Sequence, residues 1–385
     1  MRIGIDCRTI LNPGKGEQAG IGHYTYYLVK TLLRLDKKNE YVLFFDSRMS
    51  CDKAQEFEQA NVKIKFFPFS QYRRFLPIGY SHLLITGALM RERLDLYHAP
   101  ATSVPLTYRG TSVVTAHDLA IYKYPKLFPG RQLLSKKLVV PRSIKRAKRV
   151  IAVSESTKRD VRQLFRVAEK RITVIPEGFV KERAGKGVVD VREKYGLVRP
   201  YVCFVGTLEP RKNLLNLIKG FQSVANLPSM KKIDLILAGA PGWKYGSVIK
   251  AIKESKHVGR IRYLGYLPHQ DKLHLIEHAA AFVFPSLYEG FGLPVLEAMS
   301  LGAPVITSRI SSLPEVAGTA AVFVNPHKFR DIGQAIAKVV GNKQLRARLV
   351  SEGQKRASQF TWDTVARETL KVYTGVFDGV SVKSR

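Results

Sequence analysis

The chain has 385 residues, 45% hydrophobic and 24% charged, the make-up of a soluble globular protein too long for one ordinary core. That argues against a disordered chain, a collagen-like repeat and a small disulfide scaffold. Its 63 Lys and Arg against 31 Asp and Glu leave a net charge of +32, which calls for an anionic partner: nucleic acid, membrane or phosphorylated substrate.

Short apolar runs alternate with segments of helical period, the pattern of parallel sheets covered by helices. In the first half, strands are expected at Arg2–Ile5, Tyr41–Phe45, Val62–Phe66, Leu94–His98, Ser112–Thr115, Arg149–Val153 and Ile172–Ile175. A helix from about Gly22 to Leu35 follows the first strand, and Ser154 makes a cap for another over Glu155–Leu164. The pattern lapses between Phe179 and Pro200, where Gly185, Gly187, Gly196 and Pro200 stand among charges, as a linker would. Strands resume at Tyr201–Val205, Asp234–Ala238, Arg262–Leu264, Ala281–Pro285, Val305–Thr307 and Ala321–Val324. Helices are expected near Asn213–Ala225, Gln270–Ala279, Pro294–Ser300, Phe329–Val340 and Lys343–Phe360, with a last one from Trp362 to Val376. The sequence thus divides into an α/β domain over 1–180, a linker over 181–200, a second α/β domain over 201–360, and a final helix within 361–385 packing back on the first domain. Two Rossmann-like domains facing one another make the cleft between them the natural site.

Cys7, Cys51 and Cys203 are odd in number and widely spaced, so they fit neither a disulfide framework nor a zinc cluster and suggest a reducing compartment. Met1 to Asp6 reads directly as a strand, with no signal-peptide pattern before it. No apolar run reaches the roughly 18–20 residues that cross a bilayer; the best, Gly79 to Met90, is short and interrupted by His82. A cytoplasmic chain is expected, with any membrane contact peripheral.

The sharpest chemical signal is Pro285-Ser-Leu-Tyr-Glu289-Gly-Phe-Gly-Leu-Pro-Val-Leu-Glu297-Ala. A buried strand ends, a loop with two glycines follows, and a helix opens at about Pro294, a residue suited to a first turn. Free amides at Phe291, Gly292 and Leu293 would then receive an anion. Glu289 and Glu297 can hold the two ends of one ligand, since carboxylates accept paired hydrogen bonds from vicinal hydroxyls. A second signal is Val205-Gly206-Thr-Leu-Glu-Pro-Arg211-Lys212-Asn213. Here two cations follow a glycine-terminated strand, placed to hold a diphosphate and to meet negative charge as a bond to phosphate breaks. Gln18-Ala-Gly20-Ile21-Gly22-His23-Tyr24 opens the first helix, where glycines let backbone amides approach a phosphate or an acceptor. His117, with Asp118 beside it, closes the strand Ser112–Thr115 at the end where such sheets bind ligands.

These segments resemble the family 4 retaining glycosyltransferases, enzymes of the GT-B fold that use nucleotide sugars. The resemblance rests on the Glu-x7-Glu signature, the Gly20–Gly22 loop, His117-Asp118-Leu119, Val153-Ser-Glu-Ser-Thr157, the Arg211-Lys212 segment, Leu264-Gly-Tyr266-Leu267 and the loop to Gly302. It covers most of the chain in order. It implies that Glu289 contacts the donor sugar, Glu297 the ribose, and Arg211 with Lys212 the donor diphosphate. Gly22, Gly206, Tyr266, Leu267, Phe291, Gly292 and Leu293 join the implied donor set. Gly20, Ile21, His23 and Asp118 fall on the acceptor side, and His117 meets a sugar hydroxyl. The wording is most like bacterial mannosyltransferases, which makes GDP-mannose the expected donor and a glycan or lipid-linked glycan the expected acceptor. Transfer would run on the front face, the leaving phosphate helping to deprotonate the acceptor.

With no Asp-x-Asp in the chain, Arg211, Lys212 and helix amides would stand in for a divalent metal, and no cofactor is expected beyond the nucleotide diphosphate sugar as substrate. Val174-Ile-Pro-Glu177-Gly178 departs from the family, which commonly has Asn before this Gly; Glu177 is either a cleft group or the start of the linker. The charge excess is shared between the halves, +17 in residues 1–180 and +15 in the rest. The stretch Arg131 to Arg149 still holds eight Lys or Arg and no acid, interleaved with Leu133, Leu134, Leu138, Val139, Val140 and Ile144. Such a stretch suits an anionic membrane surface, as does Tyr72-Arg-Arg-Phe-Leu76. Charge alone would also allow a nucleic-acid binder, but no basic–aromatic module of that kind is present. A non-catalytic scaffold and a sugar-nucleotide epimerase of the same fold are the remaining alternatives.

Overall fold

The computed structural model describes residues 1–11, 20–67, 78–128, 133–183, 185 and 190–381. The chain forms two compact units. The first combines Met1–Lys123, Gly130–Gly178 and Thr361–Arg385; the second combines Tyr124–Pro129 with Phe179–Phe360.

The first unit is built on β1 (Arg2–Asp6), β2 (Glu40–Asp46), β3 (Val62–Phe67), β4 (Leu96–Ala99), β5 (Ser112–Ala116), β6 (Arg149–Ala152) and β7 (Ile172–Val174). All run parallel, in the order β3-β2-β1-β4-β5-β6-β7. The second unit holds β8 (Tyr201–Val205), β9 (Asp234–Ala238), β10 (Ile261–Tyr263), β11 (Ala281–Phe284), β12 (Val305–Ser308) and β13 (Ala321–Val324). They too are parallel, in the order β10-β9-β8-β11-β12-β13. Central strands such as β5, β8 and β11 are buried along their whole length, which is why they read as continuous apolar runs rather than alternating ones. Both sheets are Rossmann-like, and together they are the GT-B architecture expected from the sequence. Each sheet reverses strand order once, at β1/β4 and at β8/β11, and loops at such a point leave an opening for ligand.

Every strand expected from the sequence is present, most within one or two residues. Ser154 caps the helix Glu155–Phe165 by accepting the Thr157 amide. Several helices among the described residues were not anticipated, including Cys51–Ala54, Ala120–Lys123, Leu313–Ala317 and the three that follow. Ile78–Arg91 forms from the apolar run at Gly79–Met90, with Ile85 and Leu89 buried against the sheet; among the described residues no helix is long and apolar enough to cross a membrane. Gly246–Lys253 follows β9. Val191–Lys194 stands inside the expected linker 181–200, capped by Asp190. That stretch reads as linker because glycines and charges hide two apolar anchors, Val191 and Leu197, both buried in the second unit.

The helix Trp362–Ser381 belongs to the first unit and runs against the helix Gly20–Leu35. Its Tyr373 hydroxyl meets His98 Nδ1 at 2.6 Å, and Thr115 Oγ1 meets His98 Nε2 at 2.9 Å. Burial drives His98 down to about 3, so this imidazole is a neutral core group.

Candidate active site

In the second unit the loops after β8 and β11 lie on the two sides of the strand-order reversal. Their backbones bond directly, the Leu287 amide donating to the Arg211 carbonyl at 2.8 Å. Close packing of the neighbouring loops depends on a missing side chain: a Cβ on Gly239, at φ +136°, would fall 2.0 Å from the Gly206 carbonyl oxygen. Asn213, itself left-handed at φ 62°, donates from Nδ2 to the carbonyls of Pro285 at 3.1 Å and Pro326 at 2.7 Å. One amide therefore ties three strand-end loops together.

Within this frame Arg211, Lys212 and Glu289 converge. Lys212 Nζ donates to Glu289 Oε1 at 2.6 Å, and Arg211 Nη1 donates to Glu289 Oε2 at 2.7 Å. Arg211 also donates to the Tyr288 carbonyl at 2.8 Å and pairs with Glu209 at 2.7 Å. Lys212 lies over the Phe284 ring, 4.7 Å from its centre. Two carboxylates thus face two cations in a buried, charge-balanced cluster. Burial alone would raise the Glu289 carboxyl, but Lys212 and Arg211 outweigh it and hold it at about 2. Burial pushes Lys212 below its ordinary value even with Glu289 beside it. The backbone of Glu289 is fixed as well: its amide donates to Ser311 Oγ at 3.0 Å, and the Ser312 hydroxyl lies 3.0 Å from its carbonyl oxygen.

The helix after this loop begins at Leu293, with Gly292 as its cap residue at φ +126° and Pro294 in the first turn. Phe291 is buried and packs edge-on against Phe360. Glu297 projects from the same helix and accepts a hydrogen bond from Lys272 Nζ. Elsewhere in the unit, Tyr266 is 69% exposed while Leu267 is buried. Among the described residues no group of three or more His, Cys, Asp or Glu is placed to hold a metal ion.

The first unit gathers a different set. His117 Nδ1 lies 2.8 Å from Glu177 Oε1, and His117 Nε2 lies 3.0 Å from the Pro100 carbonyl. Both ring nitrogens have oxygen partners, so a sugar hydroxyl reaching His117 must displace one of them. Glu177 is 7% exposed; paired this way, it packs within the first unit. The edge of Tyr24 meets His117 at 4.6 Å, and Trp362 packs on both Tyr24 and Tyr27 at 5.6 Å. Gly178 lies directly beneath Trp362, where an added Cβ would stand 2.5 Å from the indole. Asp118 accepts from the Ala120 amide at 3.2 Å, capping the short helix Ala120–Lys123. Gly20, Ile21, Gly22 and His23 form the first turn of the helix Gly20–Leu35, His23 with its ring 4.6 Å from Tyr27. Gln18 and Ala19 lie outside the described residues, as does Tyr72-Arg-Arg-Phe-Leu76.

Sequence reasoning named Arg211, Lys212 and Glu289, which the structure brings together, and Glu297, but assigned no role to their neighbours Glu209 and Lys272 or to Trp362. Glu209 had a local signal, an acid two residues before Arg211. A single lysine in a chain of +32 and a tryptophan far along the sequence had none.

Residues 19–183 match the family model described as Glycosyltransferase Family 4, and residues 191–356 match that of Glycosyl transferases group 1. The O-antigen chain mannosyltransferase B of Escherichia coli is 30% identical over 372 residues, 94% of this chain and 97% of the relative. Among solved structures, sucrose-phosphate synthase from Thermosynechococcus elongatus superposes with a TM-score of 0.73 at 18% identity, over 98% of this chain and 99% of that one. Anabaena HepE, solved in complex with UDP and glucose, gives 0.71 at 19% identity, over 97% and 100%. The fold and site define a GT-B glycosyltransferase. The chain belongs to the family 4 glycosyltransferases, with mannosyltransferases of O-antigen synthesis among its relatives.

Proposed function

We propose that the chain is a retaining mannosyltransferase that takes mannose from GDP-mannose to a glycan, preferably a lipid-linked one, without a metal ion. The observation that carries the reading is the cluster in which Lys212 and Arg211 bracket Glu289. Two cations held in place at a buried strand end can meet the charge that grows on a leaving diphosphate without reorganising. The amides of Phe291, Gly292 and Leu293, where the loop after β11 enters the helix Leu293–Ser300, would add a second anion-binding element. Glu289 is ionised throughout the neutral range and would accept hydrogen bonds from the hydroxyls of a bound donor sugar. The Escherichia coli relative supports mannose as the sugar.

Turnover of GDP-mannose with a glycan acceptor, followed with and without EDTA, tests this directly, and NMR of the product reads the anomeric configuration. Transfer with retention and unimpaired by EDTA is expected. Faster use of another nucleotide sugar, an inverted product or strict metal dependence would each overturn the corresponding part.

Docking on an anionic membrane is the second element of the proposal. The helix Leu133–Arg146 buries Val139, Ser143 and Ile144 while Lys137, Leu138, Arg142 and Lys145 face outward. Not every cation of the stretch is available for lipid: Arg146 donates to the Leu106 and Tyr108 carbonyls, and Arg149 to that of Lys170. Sedimentation should require anionic lipid and weaken with salt. Equal binding to neutral vesicles would refute it.

A further inference from the structure

The helix His269–Glu277 has an unusual load. On one side it is fastened to the segment that enters the second unit: His269 pairs with Glu182, and Gln270 Oε1 accepts from the Gly185 amide at 2.8 Å. Asp271 accepts from Lys194 at 2.7 Å and from the Tyr195 hydroxyl at 2.6 Å, and His274 Nδ1 accepts from the Val191 amide at 3.3 Å. Asp271 is held below the usual carboxylate range because Lys194 and Tyr195 outweigh the effect of burial. The same helix sends Lys272 to Glu297. A residue with no motif around it thus sits on a rigidly anchored support and reaches a carboxylate of the donor-side helix.

We infer that Lys272 is a positioning residue for the nucleotide, holding and neutralising Glu297 so that this carboxylate can accept the ribose hydroxyls. The inference rests on the donor reading proposed above. Two physical needs support it. A glutamate side chain has several soft torsions, and a partner on a fixed helix removes their freedom before ligand arrives. The second need is charge. Glu209, Arg211, Lys212 and Glu289 pair among themselves, so Glu297 takes its counter-charge from outside that cluster. Lys272 supplies that counter-charge, while Oε2 of Glu297 has no hydrogen-bond partner among the described residues. A carboxylate tied at one oxygen and open at the other suits a vicinal diol.

The test is calorimetric binding of GDP and 2′,3′-dideoxy-GDP to wild type, Lys272→Met, Lys272→Arg and Glu297→Gln. Wild type is expected to prefer GDP over the dideoxy nucleotide. Lys272→Met should weaken GDP about tenfold and leave the dideoxy nucleotide nearly unchanged, closing most of that gap, while Lys272→Arg restores it. Adding Lys272→Met to Glu297→Gln should change GDP binding no further. A fall of equal size for both nucleotides, or a further fall on the Glu297→Gln background, would overturn the inference, since Lys272 would then act on phosphate or on the fold. Failure of wild type to bind any of GDP, UDP and ADP is a different result: it would remove the donor reading itself, and this inference with it.

Discussion

The two units each place polar groups at the carboxyl ends of a parallel sheet, but they secure them by opposite means. In the second unit the cluster is ionic: Glu209, Arg211, Lys212 and Glu289 satisfy one another, and each is buried or nearly so. In the first unit a single imidazole–carboxylate pair, His117 with Glu177, is held among the rings of Tyr24, Tyr27 and Trp362. An ionic cluster is only as stable as its least replaceable charge, because removing one member leaves its partners buried without compensation. An aromatic frame distributes its contribution over contact area and fails by leaving a cavity.

The largest test of this contrast is Glu289→Ala. Transfer should fall by about a hundred- to a thousandfold, as expected when charge-stabilising machinery is lost, and stability by roughly 3–5 kcal/mol. Denaturant unfolding together with donor turnover reads both, and turnover at the wild-type rate would sink the site assignment. Adding Lys212→Met should restore part of the stability and none of the activity. The pH dependence has a definite sign. The folded-state pKa of Glu289 is depressed, so its stabilising contribution is complete above the ordinary glutamate value of 4.5 and disappears as pH falls through about 2. The stability gap between wild type and Glu289→Ala should be flat from neutral pH down to about 5 and close below that.

Next in size is Trp362→Ala, expected to cost about 3–5 kcal/mol through the cavity left against Tyr24, Tyr27 and Gly178. Spectroscopic probes in the two units would show the loss confined to the first. Glu177→Gln keeps the shape and removes the charge, so about 1.5–3 kcal/mol is expected from the weakened bond to His117. Its binding of donor nucleotide should be unchanged by calorimetry. The smallest effect is Ser154→Ala, roughly 1 kcal/mol from the uncapped helix Glu155–Phe165, measurable as a shift in the denaturation midpoint.

The central strands were legible because they are buried on both faces and read as apolar runs, while the edge strand β3 showed itself by alternation, with exposed Lys63 and Lys65 between apolar residues. The ionic cluster was legible because its members sit in two short segments that directly follow strand ends. What escaped the sequence was made by long-range meetings. Lys272 and Glu297 are 25 positions apart, His117 and Glu177 are 60 apart, and His98 finds Tyr373 across 275. Burial of Val191 and Leu197 was masked by charged neighbours, whose own partners, such as Asp271 for Lys194, lie in another helix.

The first unit is discontinuous in sequence, and this sets an order of events during synthesis. Its sheet is complete in the chain by Gly178, yet the helix bearing Trp362 and Tyr373 emerges only after the whole second unit has been made. At about 5–20 residues per second, His98 and the Tyr24 face wait on the order of ten to forty seconds for their cover. Newly made first units should therefore be open to proteases and chaperones over that interval, while the second unit, nearly contiguous in sequence, closes as it leaves the ribosome. Losing the last twenty residues would then extend a transient exposure into a permanent one.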